Sequence, residues 1–301
     1  MDIVRGKASW IHITAPDSKD IEWLKDEFNL HPVILDELRN FSARTHVESF
    51  GDYLYVVYQF PVYDVDEKIS RRGEIDFVIT KKAVISVSYE LIEPLEEFKK
   101  VLKISKEIKS KAFQDSLQLI YHILSEMLSY NQRQLRHIHD KVEKIGLQMF
   151  KDREEGLLKK IAYLKRDISE YKIIISPQGQ LLQSLVARGT QFWGPQASVY
   201  LNDVMGDYSR IINRVDDYKQ AVTDFQETNT QILNLKSVKV MKTFTILSFL
   251  TLPWVPLVAI FSMPAESNPI LKMHGGFWVV LGVVTVGVMV MISYFRKKNW
   301  L

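Results

Sequence analysis

Cysteine is absent from all 301 residues. Disulfides, thiolate metal ligands and cysteine nucleophiles are therefore excluded. Also missing are the Gly-x-x-x-x-Gly-Lys and Gly-x-Gly-x-x-Gly loops that cradle phosphates and the Gly-x-Ser-x-Gly turn of hydrolase nucleophiles, so no enzymatic reading has a motif to rest on. Charge of one sign is scarce: 39 Lys and Arg against 36 Asp and Glu leave +3, too little to argue for direct contact with nucleic acid. The first residues, Met1 to Thr14, hold no apolar run behind a basic segment, so no cleaved leader is expected.

What the chain has in excess is two uncharged runs near its C-terminal end. Thr243 to Ala265 is 23 residues without a charged side chain, and Gly275 to Phe295 is another 21. Either run, as a helix rising 1.5 Å per residue, crosses a hydrocarbon core of about 30 Å. Lys236, Lys239 and Lys242 precede the first run, Arg296, Lys297 and Lys298 follow the second, and Lys272 is the one lysine between them. The positive-inside rule then puts both termini in the cytoplasm, with anionic lipid attracting the flanking lysines. The expected organisation is a cytoplasmic α/β domain at 1–110, a helical stalk at 111–242, a first span at 243–265, an outer loop at 266–274, a second span at 275–295 and a basic tail at 296–301.

The first hundred residues alternate strand and helix signals. Trp10 to Thr14, Thr45 to Phe50, Tyr53 to Phe60, Ile75 to Thr80 and Ala83 to Tyr89 are rich in β-branched and aromatic residues and bounded by turn pairs such as Gly51-Asp52 and Lys81-Lys82. Asp17 to Phe28 reads as a helix, Leu30-His31-Pro32 opens a short one, and Pro94 opens another at the first position, where its missing N–H costs nothing. From Phe113 the period becomes heptad: Leu117, Tyr121, Leu124, Leu128, Asn131, Leu135, Ile138, Val142, Ile145 and Met149, then Leu157 to Ile175 after a skip. Pro177 and Gly179 interrupt this seam, Gly189 to Pro195 reads as a turn, and a last series runs from Val204 to Ile232. No breaker stands between Val199 and Leu252, so one helix is expected to enter the membrane directly.

Within this order, Leu30-His31-Pro32 with Leu35-Asp36-Glu37, then Arg44, Glu48 and Asp52-Tyr53-Leu54-Tyr55, resemble the cytoplasmic domain of the CorA family of two-transmembrane divalent-cation channels. Tyr200-Leu201-Asn202-Asp203-Val204, Met241-Lys242, Pro253 and the ending Trp300-Leu301 carry the resemblance across nearly the whole chain. It implies an inner-membrane homopentameric funnel in which the first spans line a pore for Mg²⁺, with Co²⁺ and Ni²⁺ as further candidates, and in which Mg²⁺ also regulates from the cytoplasmic side. Two spans cannot enclose a pore, so any channel reading requires self-association.

The chain departs from the family where a channel would select its ion. The family signature Gly-Met-Asn is replaced by Ser262-Met263-Pro264, Pro269-Ile270 stands where Pro-Glu is frequent, and Val238 replaces a frequent Asn. Proline offers no side-chain acceptor for a cation's water shell, which leaves the Ser262 hydroxyl, carbonyls freed around the prolines and Glu266 in the loop. The pore positions implied are Val238, Met241, Phe244, Leu252, Val255 and Ala259, nearly all apolar. Asp203 is the position at which the resemblance implies a regulatory Mg²⁺ ligand. An alternative for so altered a signature is a channel opened by a cytoplasmic nucleotide ligand, as for CorA-like membrane effectors of type III CRISPR defence.

Other polar residues read as structural. His137 and His139, two apart, lie on different faces of a helix and are expected to be a solvated pair. Asn131 and Asn229 interrupt apolar seams as register markers. Gly282 and Gly287, among valines, are expected to admit a neighbouring helix.

Overall fold

The computed structural model describes residues 1–64, 66, 69–149, 156–262 and 274–298. Its chain contacts divide into two units, Met1–Gln226 and Glu227–Leu301, with the division falling inside one long helix.

The first unit is built on a six-stranded sheet in the order β1-β2-β6-β5-β4-β3. Its strands are β1 (Asp2–Arg5), β2 (Ser9–Thr14), β3 (His46–Ser49), β4 (Tyr53–Asp64), β5 (Ile69–Thr80) and β6 (Ala83–Ser88). Only β2 and β6 pair in parallel; every other pairing is antiparallel. Strand β1 had no signal in the sequence, since Asp2 and Arg5 leave no clean alternation, and it forms by antiparallel pairing with β2.

Period-two alternation sorts the side chains onto two cores. Leu54, Val56, Tyr58 and Phe60 of β4, with Ile75, Phe77 and Ile79 of β5, join the core shared with the later helices. Tyr53, Tyr55 and Val57, with Val78, Ile85 and Val87, face the opposite core, under α1 (Ser18–Phe28) and α2 (Pro32–Glu37). Helix α1 opens with a capping box: the Asp17 carboxylate accepts from the Lys19 and Asp20 N–H groups at 2.9 and 2.8 Å, and Asp20 accepts from the Asp17 N–H. Helix α2 has Pro32 in its first turn, as expected.

The helices α3 (Glu93–Ile104), α4 (Lys106–Ala112), α5 (Ser116–Met149), α6 (Leu157–Ile175) and α7 (Pro177–Trp193) follow. The heptad positions Leu117, Leu124, Leu128, Leu135, Ile138 and Ile145 are buried, as are Ile161, Leu164, Ile168 and Tyr171. One link from helix to sheet is polar: Tyr58 OH donates to Gln178 Oε1 at 3.2 Å, and Gln178 Nε2 donates to the Gln59 carbonyl at 2.7 Å.

The turn expected from Gly189 to Pro195 is shorter than that. Residues up to Trp193 are helical, and the break is confined to Gly194, at φ 102°, Pro195 and Gln196. Gly189 is inside the helix, where a Cβ would meet Leu201 Cδ1 at 2.7 Å and Trp193 at 3.1 Å; close packing, not a turn, favours the glycine. Helix α8 then runs from Ala197 to Thr251, in agreement with the breaker-free stretch. α9 (Trp254–Ser262) and α10 (Gly276–Lys297) complete the described elements.

Candidate functional site

In the second unit the first uncharged run is helical but not continuous. Residues Leu252 and Pro253 separate α8 from α9, because Pro253 has no N–H to carry the backbone ladder and its ring opposes the preceding turn. Hydroxyls in the apolar segments are satisfied by their own helix: Thr245 donates to the Met241 carbonyl at 2.9 Å, Ser262 to Val258 at 2.9 Å and Thr285 to Leu281 at 2.8 Å. Ser262 therefore keeps only acceptor lone pairs for a cation's water.

The implied pore positions Val238, Met241, Phe244, Leu252 and Val255 are exposed in the single chain, as is Ala259. So are Phe249, Ile260, Val286, Met289 and Val290, whereas Ile246 and Phe295 are buried. Helices this apolar and this bare need lipid or protein on nearly every side. Two helices, one ending at Ser262 and one from Gly276 to Lys297, are long and apolar enough to cross a membrane. Met263, Pro264 and Glu266 lie outside the described residues, as do most of the 266–274 loop and Trp300.

In the first unit, polar chemistry concentrates at three places. Asp167 of α6 is buried and receives Lys141 Nζ at 2.7 Å, His137 Nε2 at 3.2 Å and Ser70 Oγ at 3.4 Å. Burial pushes its carboxyl up, but the bonds from His137 and Lys141 outweigh that and hold it below the usual carboxylate range. His137 is thus half-buried and committed to Asp167, which corrects the expected solvated pair; His139 is the exposed member. The sequence spacing placed them on different faces but could not show that one face meets α6.

His12 of β2 is buried between the hydroxyls of Ser86 (2.8 Å) and Thr14 (3.1 Å). Burial, then the nearby Lys99 ammonium, lower it to about 4, so it stays neutral at physiological pH.

The third place is acidic. Glu74 and Asp76 alternate along β5 and so share the face of Tyr55, under α2. Both are fully buried. Glu74 accepts from Gln59 Nε2 at 2.6 Å and from the Ser42 N–H at 2.7 Å; Asp76 Oδ2 accepts from Tyr89 OH at 2.8 Å, while Asp76 Oδ1 and Tyr55 OH have no hydrogen-bond partner among the described residues. Burial raises Glu74, and burial followed by the charge of Glu74 raises Asp76 well above the usual range.

The sign of the consequence is definite. A carboxyl raised in the folded state holds its proton there more tightly than in the unfolded chain, so stability falls as pH rises from about 3.9 through the raised value. Asp76→Asn is expected to stabilise the protein at pH 8 by about 1 kcal/mol, roughly the cost of an unsatisfied buried group, with the gain shrinking towards pH 4. Urea unfolding midpoints of the two proteins in metal-depleted buffer at several pH values check this. A gain that grows on acidification would contradict it. The sequence did carry a signal for this cluster, two carboxylates at alternate positions in an apolar strand.

Asp203 on α8 is exposed and accepts Tyr121 OH at 2.8 Å. Further along α8, Asp216 is bonded by Lys172, and Asp217 lines a cleft between α5 and α8. Among the described residues no group of three or more His, Asp or Glu is placed to hold a metal ion within one chain.

An α/β unit with long helices, followed by two helices of membrane-spanning length, defines a class of two-span membrane proteins. The profile of the family described as "CorA-like Mg2+ transporter protein" matches residues 5–297, and the chain belongs to that family. It is 24% identical over 294 residues, 97% of this chain and 83% of the relative, to the cobalt/magnesium transport protein CorA of Thermotoga maritima. Its fold is that of the complete CorA magnesium transporter of Methanocaldococcus jannaschii, with a TM-score of 0.86 at 18% identity, covering 100% of this chain and 95% of that one. The full-length CmaX protein is similar as well, with a TM-score of 0.75 at 14% identity, over 100% of this chain and 91% of that one.

Proposed function

We propose that this chain assembles as a homopentamer that conducts hydrated divalent cations, Mg²⁺ foremost with Co²⁺ and Ni²⁺ as further ions, through a pore lined by α8 and α9. The observation that carries the reading is the bare apolar surface of the second unit in a chain whose whole length takes the fold of a magnesium transporter. The Thermotoga maritima relative is described as a cobalt/magnesium transport protein and the Methanocaldococcus jannaschii structure as a magnesium transporter, which supports a divalent cargo. None of them is described as a nucleotide-opened effector, so the nucleotide-gated alternative gains nothing from them.

The organisation expected for such a channel is an inner-membrane protein with both termini cytoplasmic. Residues 1–110 form its α/β domain, 111–242 its stalk, and 243–265 and 275–295 its spans. With Pro264 at the end of the first span, ion hydration falls to the Ser262 oxygen, to carbonyls left without an N–H partner near Pro253 and Pro256, and to Glu266. Hard cations that keep their water need only such outer oxygens. Asp203 is the proposed regulatory ligand, completed by groups from a neighbouring copy, and gating then acts through α8, which contributes residues to both units.

Flux into proteoliposomes tests the whole reading with Mg²⁺, Co²⁺, Ni²⁺, K⁺ and Cl⁻ as separate cargoes. Mg²⁺ uptake is expected, suppressed by millimolar Mg²⁺ on the face carrying residues 1–226, with that suppression weakened in Asp203→Ala. Uptake of K⁺ or Cl⁻ in place of Mg²⁺, or none of any ion, would overturn it.

A further inference from the structure

We infer that the cleft between α5 and α8 is a binding site for an oligophosphate chain, meaning two or more linked phosphates, free or carried by a nucleotide. This stands apart from the identity of the conducted ion. The cleft has a volume of about 760 Å³, inside the roughly 300–1,000 Å³ typical of ligand pockets. Its walls come from one face of α5, where Ser129, Gln132, Arg133, Arg136 and His139 recur at helical spacing, and from Arg214, Asp217 and Tyr218 of α8.

Three guanidinium groups converge here, and two of them are uncommitted. Arg133 bonds Glu97 at 3.0 Å and Glu126 at 3.3 Å. Arg136 and Arg214, one on each wall, make no ion pair among the described residues. Some other cations of these helices are paired, Lys141 of α5 with Asp167 and Arg210 of α8 with Asp207. Unpaired arginines facing one another across a cleft leave their forks for an anion that can accept two hydrogen bonds at a time, which a phosphate does at each unit.

Reach selects a chain of phosphates over a single one. With Arg133 committed to Glu97 and Glu126, Arg136 and Arg214 less the Asp217 carboxylate leave +1 on the two walls, and Asp140 adds negative potential close to Tyr218. One phosphate brings about −1.5 to −2 at neutral pH and gains little against Asp217; a longer chain brings more charge and reaches both walls. The neutral donors Ser129, Gln132 and Tyr218 complete the set. The His139 and Tyr218 rings, 5.9 Å apart and tilted by 39°, close one side with flat aromatic surface. Leu135 adds an apolar patch to a lining made otherwise of polar side chains.

Thermal unfolding of the full-length protein in detergent, in metal-depleted buffer at matched ionic strength, tests the inference. Pyrophosphate and tripolyphosphate at 1 mM are expected to raise the midpoint by several degrees, since a ligand bound only by the folded state stabilises it. Orthophosphate and sulfate are expected to leave it unchanged. Arg136→Gln and Arg214→Gln each remove an exposed, unpaired group, so the unliganded midpoint should stay within a degree or two while the pyrophosphate shift falls at least threefold. Arg214→Lys, which keeps the charge and loses the fork, should recover only part. ATP in place of pyrophosphate separates the two carriers: an equal shift assigns recognition to the phosphate chain wherever it is attached, and no shift assigns it to free oligophosphate. The inference is overturned by no shift with either oligophosphate, by an equal shift with orthophosphate, by a shift that survives both glutamine substitutions, or by one lost instead in Lys144→Gln.

Discussion

Met241→Asn is expected to raise Mg²⁺ uptake into proteoliposomes about tenfold, equivalent to lowering the barrier by about 1.4 kcal/mol. Val238, Met241 and Phe244 follow one another at three-residue steps, which at 100° per residue keeps them within an arc of about 120° on α8. All three are exposed in the single chain, Met241 at 70%. In the ring of copies proposed above such an arc would face the axis, where an apolar constriction excludes ions by excluding their water. An amide in each copy holds that water in place. Thr243, also exposed, lies about 160° away from Met241 on the same helix and serves as the control. Thr243→Asn should leave uptake within twofold of the parent. Equal effects from the two substitutions, or none from Met241→Asn, would mean that this arc does not line the pathway.

Gly287→Leu should abolish uptake and lower the unfolding midpoint by about 5 °C or more. A Cβ built on Gly287 of α10 runs into the Cη2 edge of the Trp254 ring on α9, far closer than the 3.0 Å that real Cβ atoms respect. The indole is rigid and wide, so it cannot yield as a lysine tip would, and overpacking of this kind typically costs 1–3 kcal/mol. Gly282, one and a half turns earlier on α10, has nothing within 4 Å of the same built atom. Gly282→Leu is therefore expected to leave the hairpin intact, and the two substitutions should differ sharply although the sequence treats them alike. Trp254→Ala combined with Gly287→Leu should restore part of the lost stability, as coupled neighbours do. If the double variant is as unstable as the sum of the singles, the two side chains do not meet.

Much of this molecule was legible from periodicity. Strands β2 to β6, helices α1 to α3 and the apolar seams of α5 and α6 follow from short-range patterns, because one buried face imposes a period of two or of about three and a half whatever it packs against. The two spans follow from length and the absence of charge, since a bilayer asks nothing more of a helix. Family membership was also legible, because the order of Leu30-His31-Pro32, Met241-Lys242 and the spans survives where overall identity does not.

The sequence left open which distant residues meet. His137 and Asp167 are 30 positions apart, Arg136 and Arg214 lie on different helices, and the burial of Glu74 and Asp76 depends on α2 covering their side of the sheet. Gly282 and Gly287 differ only because one of them opposes Trp254. Local sequence determines the face a side chain points to, through backbone geometry alone; what stands opposite that face, and therefore its charge state, partner and room, is decided by the packing of elements distant in the chain.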